Sequence, residues 1–467
     1  VKLLMSIEQY RKKIIDITER IIELVGERER MAEKIAMKKR DNKIPIDDAG
    51  AEEKLIDSVI KKSRKSKVDI ETALNILSVL LNDSKRVQRD ILGIADKQRI
   101  SPMAMASVAM DLQRSGRKLY RLDVGEPDFH PPQRVIDACN SALQSFKTHY
   151  TRTRGIPELT QALSSYIKKK HGYDAVEEQL MITPGGRFAI YSALASILKR
   201  GESAIVIEPN WPMYREALEY LGCRCISIHT ELDDAWEPSV EEINKRIKSH
   251  TKAIILSYPC NPTGKVISRE KFGQIIEVAK DRNLTVLSDE IYNDYAYTDC
   301  PSILDYDLSD FVLTSSFSKT WAMTGFRIGY AVSSTSMIEK MLKISSLMIT
   351  SVPEFIQYGA IAALESEDAV KRNSREMKRR IKIASEELEK IDSLEFMKPD
   401  GGMYVFPRIK GKRIDSSEFA MSLLKRRGVS ITPGNGFGDY PDFFRISLGQ
   451  NEETIKQGIR IIGEELN

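Results

Sequence analysis

The pattern of apolar residues changes character part-way along the chain, and that change limits the fold more than any single motif. Over the first ninety residues the pattern is helical and no strand interrupts it; from about residue 120, short β-branched runs alternate with amphipathic helices. The first pattern calls for helices packed on helices, the second for a mostly parallel sheet with helices on its faces. At 467 residues the chain is also longer than one average domain. A helical domain is therefore expected over 1–92, a linker over 93–102 and an α/β region over 103–467, its large part at about 150–350 and its smaller α/β part from 103–149 and 351–467. Ser101-Pro102 marks the linker's end, because the residue before a proline is biased away from helix.

Composition removes several function classes. With 42% hydrophobic and 30% charged residues, and no apolar run near the roughly 20 residues of a membrane span, a soluble globular protein without a membrane partner is expected. Charged helical sequence follows Val1-Lys2-Leu3-Leu4-Met5 at once, leaving no secretory apolar stretch, so a cytoplasmic location is expected. Five cysteines (Cys139, Cys223, Cys225, Cys260, Cys300) are too few for a disulfide framework. Cys223-Arg224-Cys225 lacks a second ligand pair, so no metal is expected. Residues 1–100 carry 23 Lys+Arg against 18 Asp+Glu, too interleaved an excess for a nucleic-acid partner.

In the helical region Ile7, Tyr10, Ile14, Ile17, Ile21, Leu24, Arg28, Met31 and Ile35 recur at spacings of 3 and 4, as on a buried seam. Ile70, Leu74, Leu77, Leu81, Ser84, Gln88 and Ile91 form a second such series, and a shorter helix is expected over Asp48 to Lys62. One polar residue in a seam is ordinary. Arg28, Ser84 and Gln88 together point instead to a polar, cationic pocket inside a helical bundle, because a buried cation without partners is costly.

With Arg11, Arg28, Lys39, Asp48, Glu52, Ser84 and Gln88, residues 6 to about 90 resemble the all-helical chorismate mutases. The resemblance implies intertwined three-helix subunits with Arg11 supplied by the partner subunit, and a dicarboxylate substrate, chorismate, rearranged to prephenate. Arg11 and Arg28 would clamp carboxylates, Lys39 and Gln88 would stabilise charge growing on the ether oxygen, and Asp48 and Glu52 would face the substrate hydroxyl. The chain departs from the family at one place: Asp-x-x-Arg-Glu is replaced by Asp48-Ala49-Gly50-Ala51-Glu52, so a cation is missing.

In the α/β region, Ser315-Ser316-Phe317-Ser318-Lys319-Thr320 and Gly325-Phe326-Arg327-Ile328-Gly329 place a lysine in a tight turn between apolar runs. Such an amine, with its pKa lowered by burial and neighbouring cations, can form a Schiff base; the same segment also suits a buried lysine paired with an acid. Thr183-Pro184-Gly185-Gly186-Arg187 leads into an apolar helix, where amides can hold a phosphate. A strand ends at Ser257-Tyr258 before Pro259-Cys260-Asn261-Pro262, and another puts Asp289 at its end before Glu290-Ile291-Tyr292.

With Asp123-Val124-Gly125-Glu126-Pro127, Tyr150, Pro209-Asn210-Trp211-Pro212 and Phe444-Arg445-Ile446-Ser447, this colinear set resembles the class I aminotransferases of the fold-type I pyridoxal-phosphate enzymes, from Ser101 onward. The resemblance implies pyridoxal 5′-phosphate as cofactor and a homodimer. Lys319 would be the Schiff-base residue and proton carrier; Asp289 would keep the pyridine nitrogen protonated, and Asn261 and Tyr292 would bond the ring's phenolate oxygen. Trp211 would stack on the ring. Gly185, Gly186, Arg187, Ser316 and Arg327 would hold the phosphate, with Tyr150 reaching across from the partner. Arg445 would take the substrate α-carboxylate, with Gly125 beside it.

The fusion implies a bifunctional enzyme of phenylalanine and tyrosine biosynthesis, making prephenate and transferring an amino group from an amino-acid donor to prephenate or an aromatic keto acid. The alternative is an aspartate aminotransferase whose helical domain senses a ligand or dimerises without chemistry.

Overall fold

Ser6 and Gln9 bond reciprocally, each side chain to the other's backbone N–H at 3.2 and 2.8 Å, and this capping box starts a helix, α1 (Ile7–Asn42). Two more helices follow, α2 (Ala49–Ser66) and α3 (Ile70–Ile91); Asp69 caps α3 by accepting from the Thr72 amide at 3.0 Å. The computed structural model describes residues 6–42, 49–92, 102–411 and 415–466. It divides into two compact units, 1–99 and 100–467.

In the helical unit α3 packs against both α1 and α2, and Ile56, Leu74 and Leu77 form its small core. The expected seam on α1 is corrected. Ile7, Tyr10, Ile14, Ile17, Ile21, Leu24, Met31 and Ile35 are all exposed, whereas Ala32 and Ala36 are buried. Helix length explains the difference: the 36 residues of α1 extend about 54 Å, but the 22 of α3 only about 33 Å, so much of α1 runs past its partner helix among the described residues.

The α/β unit is built on a seven-stranded sheet of β1 (Leu180–Thr183), β2 (Ser203–Glu208), β3 (Arg224–His229), β4 (Thr251–Ser257), β5 (Thr285–Asp289), β6 (Phe311–Ser316) and β7 (Gly329–Ser333). Their order is β1-β7-β6-β5-β4-β2-β3, and only β7 runs antiparallel to its neighbours. Strands such as β6 are buried on both faces, which is why they read as continuous apolar runs.

A second core, around Leu122, Met377, Leu424, Phe444 and Ile459, belongs to the smaller part. The helices Gln133–Gln144 and Glu354–Leu364, expected in that part, join the core of the large sheet instead through Val135, Ala360 and Ala363. They pack on each other where Gly359 lets the Cys139 thiol approach, so their apolar faces are already committed. Among the described residues no helix is long and apolar enough to cross a membrane, and no cluster of His, Cys, Asp and Glu is placed to hold a metal.

Candidate active site

In the α/β unit several of the predicted residues gather at the C-terminal ends of the large sheet's strands, Gly185 after β1, Asn261 after β4, Asp289 on β5 and Ser316 on β6, where open sheets of this kind bind ligands. Asp289 ends β5 and is 4% exposed. Burial pushes its carboxyl up to about 6, against the Tyr214 hydroxyl, which donates to Oδ2 at 2.6 Å, and the Ile291 amide, both of which favour the carboxylate. Tyr214 lies on the helix Met213–Tyr220 and was not singled out from sequence; its position two residues after Pro212 is the only signal.

Lys319 follows β6 in the turn expected of it. Its amine donates to the Gly125 carbonyl. Burial lowers its pKa to about 8; the Glu126 carboxylate opposes that shift, while Arg445, Arg327 and Arg187 add to it. The backbone beside the lysine is fixed from both sides: Tyr295 donates to the Lys319 carbonyl at 2.8 Å, and Thr320 donates to Asp294 at 2.9 Å.

The turn after β1, where a phosphate site is expected, forms a glycine-lined cradle. Gly185 has φ +87°, and a Cβ there would meet the Arg327 guanidinium at 2.6 Å. The helix Gly186–Ile197 begins at once, so its first amides face the same place as Ser316, whose Cβ is 3.5 Å from where a Gly186 Cβ would sit. Arg187 lies over the Trp211 ring at 5.2 Å. Tyr150 is 87% exposed and meets none of these groups within the chain.

Arg445 is buried beside them. It donates to Asn261 Oδ1 at 2.9 Å and to the Asp123 carbonyl at 2.6 Å, its guanidinium covers the Tyr404 ring at 4.4 Å, and its Nε has no hydrogen-bond partner among the described residues. Tyr404 in turn bonds Tyr292, hydroxyl to hydroxyl, at 2.7 Å. Gly125 leaves room for this pair, since a Cβ there would collide with the Tyr404 hydroxyl. Like Tyr214, Tyr404 escaped sequence reading, because Gly401-Gly402-Met403-Tyr404 reads as an ordinary turn into a strand.

These groups fit pyridoxal phosphate: a buried acid for a ring nitrogen, an amine of lowered pKa, amides and an arginine for a phosphate, and a buried guanidinium with an orphaned N–H for a carboxylate.

In the helical unit, Arg28 on α1 is half-buried with its Nε unpartnered among the described residues. Gln88 on α3 is 7% exposed; its amide nitrogen donates to the Ser84 carbonyl at 3.2 Å and its Oε1 lacks a partner. Glu52 on α2 pairs with Lys85 of α3 at 2.8 Å. Lys39 is half-buried near the end of α1. Arg11 is exposed, and 17 residues of helix put it about 26 Å from Arg28, so one subunit does not bring them together. Asp48 lies outside the described residues.

Comparison with known proteins agrees with both units. The family model of aminotransferase class I and II matches residues 117–462, and that of chorismate mutase type II matches residues 10–89. The chain is 36% identical to the (5-formylfuran-3-yl)methyl phosphate transaminase of Methanocaldococcus jannaschii over 78% of this chain and 96% of that one. It is 30% identical to a probable aspartate/prephenate aminotransferase of Aquifex aeolicus over 78% and 95%. The crystal structure of aspartate aminotransferase from Thermotoga maritima superposes with a TM-score of 0.75 at 31% identity, covering 79% of this chain and 97% of that one. A buried acid, a lysine of lowered pKa and a glycine cradle at the strand ends thus sit in a chain that belongs to the class I and II aminotransferases and carries a type II chorismate mutase domain before them.

Proposed function

We propose that the chain is a bifunctional enzyme that converts chorismate to prephenate in its helical unit and transfers an amino group to prephenate or an aromatic keto acid in its α/β unit, with pyridoxal phosphate held at Lys319. The observation that carries the amino-transfer reading is the joint placement of Lys319, Asp289 and Arg445 around one buried site. When bound, pyridoxal phosphate supplies a carbonyl carbon that takes an amine and a ring that withdraws electrons.

The residues do the rest. Arg445 takes the substrate α-carboxylate with its unpartnered N–H and orients the amine-bearing Cα. Lys319, neutral above about pH 8 and partly so below it, removes the proton from that Cα at its Nζ. Asp289 holds a proton on the ring nitrogen, and Tyr214 keeps the carboxylate aimed. Gly185, Gly186, Arg187, Ser316 and Arg327 hold the phosphate, and Trp211 and Asn261 bound the ring. Tyr150 reaches the site of a partner subunit in a homodimer; its exposure supports that role.

In the helical unit, Arg28, Lys39, Glu52, Ser84 and Gln88 form the mutase site, completed by Asp48 and by Arg11 of a second copy. The exposed apolar length of α1 supports the pairing. The substrate choice rests on the fusion and on the Aquifex relative, which is named for aspartate and prephenate. Replacing Lys319 by Ala should abolish transamination and the visible absorbance of lysine-bound cofactor; retained turnover ends the assignment. Chorismate, an amino donor and cofactor supplied together should give an aminated product of prephenate by mass. Strict preference for oxaloacetate as acceptor would instead favour an aspartate aminotransferase with a non-catalytic helical unit, the reading that Ala51 favours.

A further inference from the structure

The turn that carries Lys319 has a strained backbone. Ala322 and Arg327, neither of them glycine, hold left-handed φ angles of +55° and +54°. Such conformations persist only where the surroundings fix them from several sides. Side chains from two other segments bond this turn. Tyr295 donates to the Lys319 carbonyl at 2.8 Å, Thr320 donates its hydroxyl to Asp294 Oδ2 at 2.9 Å, and Asn373, on the helix Glu367–Leu388, donates to the Thr320 carbonyl at 3.2 Å. Thr320 is 3% exposed, so its hydroxyl could not turn to water if Asp294 were lost.

We propose that Asp294 is a positioning residue for amino transfer, which acts through Thr320 to hold the Lys319 turn in register with the segment that carries the ring acid; this rests on the reading of Lys319 as the cofactor-bearing lysine. Chain order carries the first step. Asp289 closes β5, Tyr292 follows and bonds Tyr404 hydroxyl to hydroxyl, and the one-turn helix Asn293–Tyr295 comes next. One short stretch of backbone thus bears the acid, the tyrosine expected at the ring's phenolate oxygen and two anchors of the lysine turn. A slip of Thr320 against Asp294 is therefore a slip of the amine against the ring.

The carboxylate is itself held. Lys170, on the helix Pro157–His171, meets Asp294 Oδ1 at 2.6 Å, while Oδ2 accepts from Thr320; the Lys170 and Asp294 side chains are 25% and 15% exposed. A carboxylate gripped at one oxygen presents the other at a set place. The far end of the lysine is tied separately, since its amine donates to the Gly125 carbonyl on another segment. Fixing the backbone end then decides where Nζ points, and an error of about 1 Å in a proton-transferring group can cost roughly a hundredfold in rate. No bond is made or broken at Asp294 in this role.

The test uses the full chain. Thr320→Val removes the donor to Asp294 while keeping the side chain's shape and altering no charge. It should lower kcat for transamination by about tenfold and leave KM for the amino donor unchanged, because Arg445 takes the carboxylate. In cofactor-free protein it should raise the pH of half-rate labelling of Lys319 by an amine reagent about half a unit or more above the wild-type value near 8, since a loosened turn lets water reach the amine. Thr320→Ser keeps the hydroxyl and should recover most of both effects. Thr320→Ala removes the same donor from a smaller side chain and should agree, so a misfolded Thr320→Val leaves the test standing. Asp294→Ala breaks the contact from the other side, and adding Thr320→Val to it should cost nothing more. Wild-type kcat and midpoint in the Thr320 variants overturn the role of Asp294, as do losses that serine does not repair or that multiply in the double variant. A Lys319→Ala variant that still turns over overturns the reading of Lys319 and the role of Asp294 with it; an inactive one beside an unaffected Thr320→Val overturns the role of Asp294 alone.

Discussion

Tyr214 donates to Asp289 at 2.6 Å in a pocket where burial has already pushed the acid up to about 6. The hydroxyl favours the carboxylate, so it works against desolvation and keeps the charge available for a ring nitrogen. Tyr214→Phe should raise the Asp289 pKa further. The active carboxylate is then lost at higher pH, so the acidic limb of the pH profile for transamination should move up, and kcat/KM at pH 7 should fall by roughly tenfold. An acidic limb that stays in place would show that Tyr214 only packs.

Gly125 and Tyr404 make a second coupled pair. A methyl group at Gly125 would collide with the Tyr404 hydroxyl but only touch the ring carbon behind it, at 3.4 Å. Gly125→Ala should therefore displace Tyr404 from Tyr292 and lower transamination by about tenfold or more. Tyr404→Phe removes the colliding atom. In the double variant the cost of Gly125→Ala should largely disappear, and simple addition of the two losses would reject the coupling.

The Lys319 amine is pulled in opposite directions by burial and by Glu126, whose carboxylate accepts a bond from Thr324. Removing the negative charge should lower the amine's pKa further. In cofactor-free Glu126→Gln, labelling of Lys319 by an amine reagent, followed by peptide mass, should reach half-rate about one pH unit below the wild-type midpoint near 8. A midpoint that rises instead would mean that the Glu126 carboxylate does not hold the amine's pKa up.

The sequence made the α/β site readable because its chemistry sits in short local motifs at strand ends: Ser316 and Lys319 share one turn, Gly185 and Gly186 another, and Asp289 closes an apolar run. Tyr214 and Tyr404 were not readable, because each acts through a partner far along the chain, 75 residues away for Tyr214 and 112 for Tyr404. A tyrosine at helix or strand spacing carries no mark of such a partner. The seam of α1 misled for a related reason: periodicity shows that a face is apolar, not which surface covers it.

Glu290, beside Asp289, holds no ligand in the proposed site, yet burial pushes it up to about 7 despite bonds from Ser288, Asn293 and the Ile303 amide. A carboxyl whose folded pKa exceeds its ordinary value binds its proton more tightly when folded. Its contribution is complete below the ordinary value of 4.5 and is lost as pH rises through about 7. For one proton the slope approaches ~1.4 kcal/mol per pH unit within that window. Glutamine cannot titrate, so Glu290→Gln should be less stable than wild type at pH 5 and should recover relative to it by pH 8. Urea unfolding of both proteins at the two pH values checks this. A stability difference that stays constant between them would mean that Glu290 does not change its proton on unfolding, and that the neighbouring donors, not burial, set its charge.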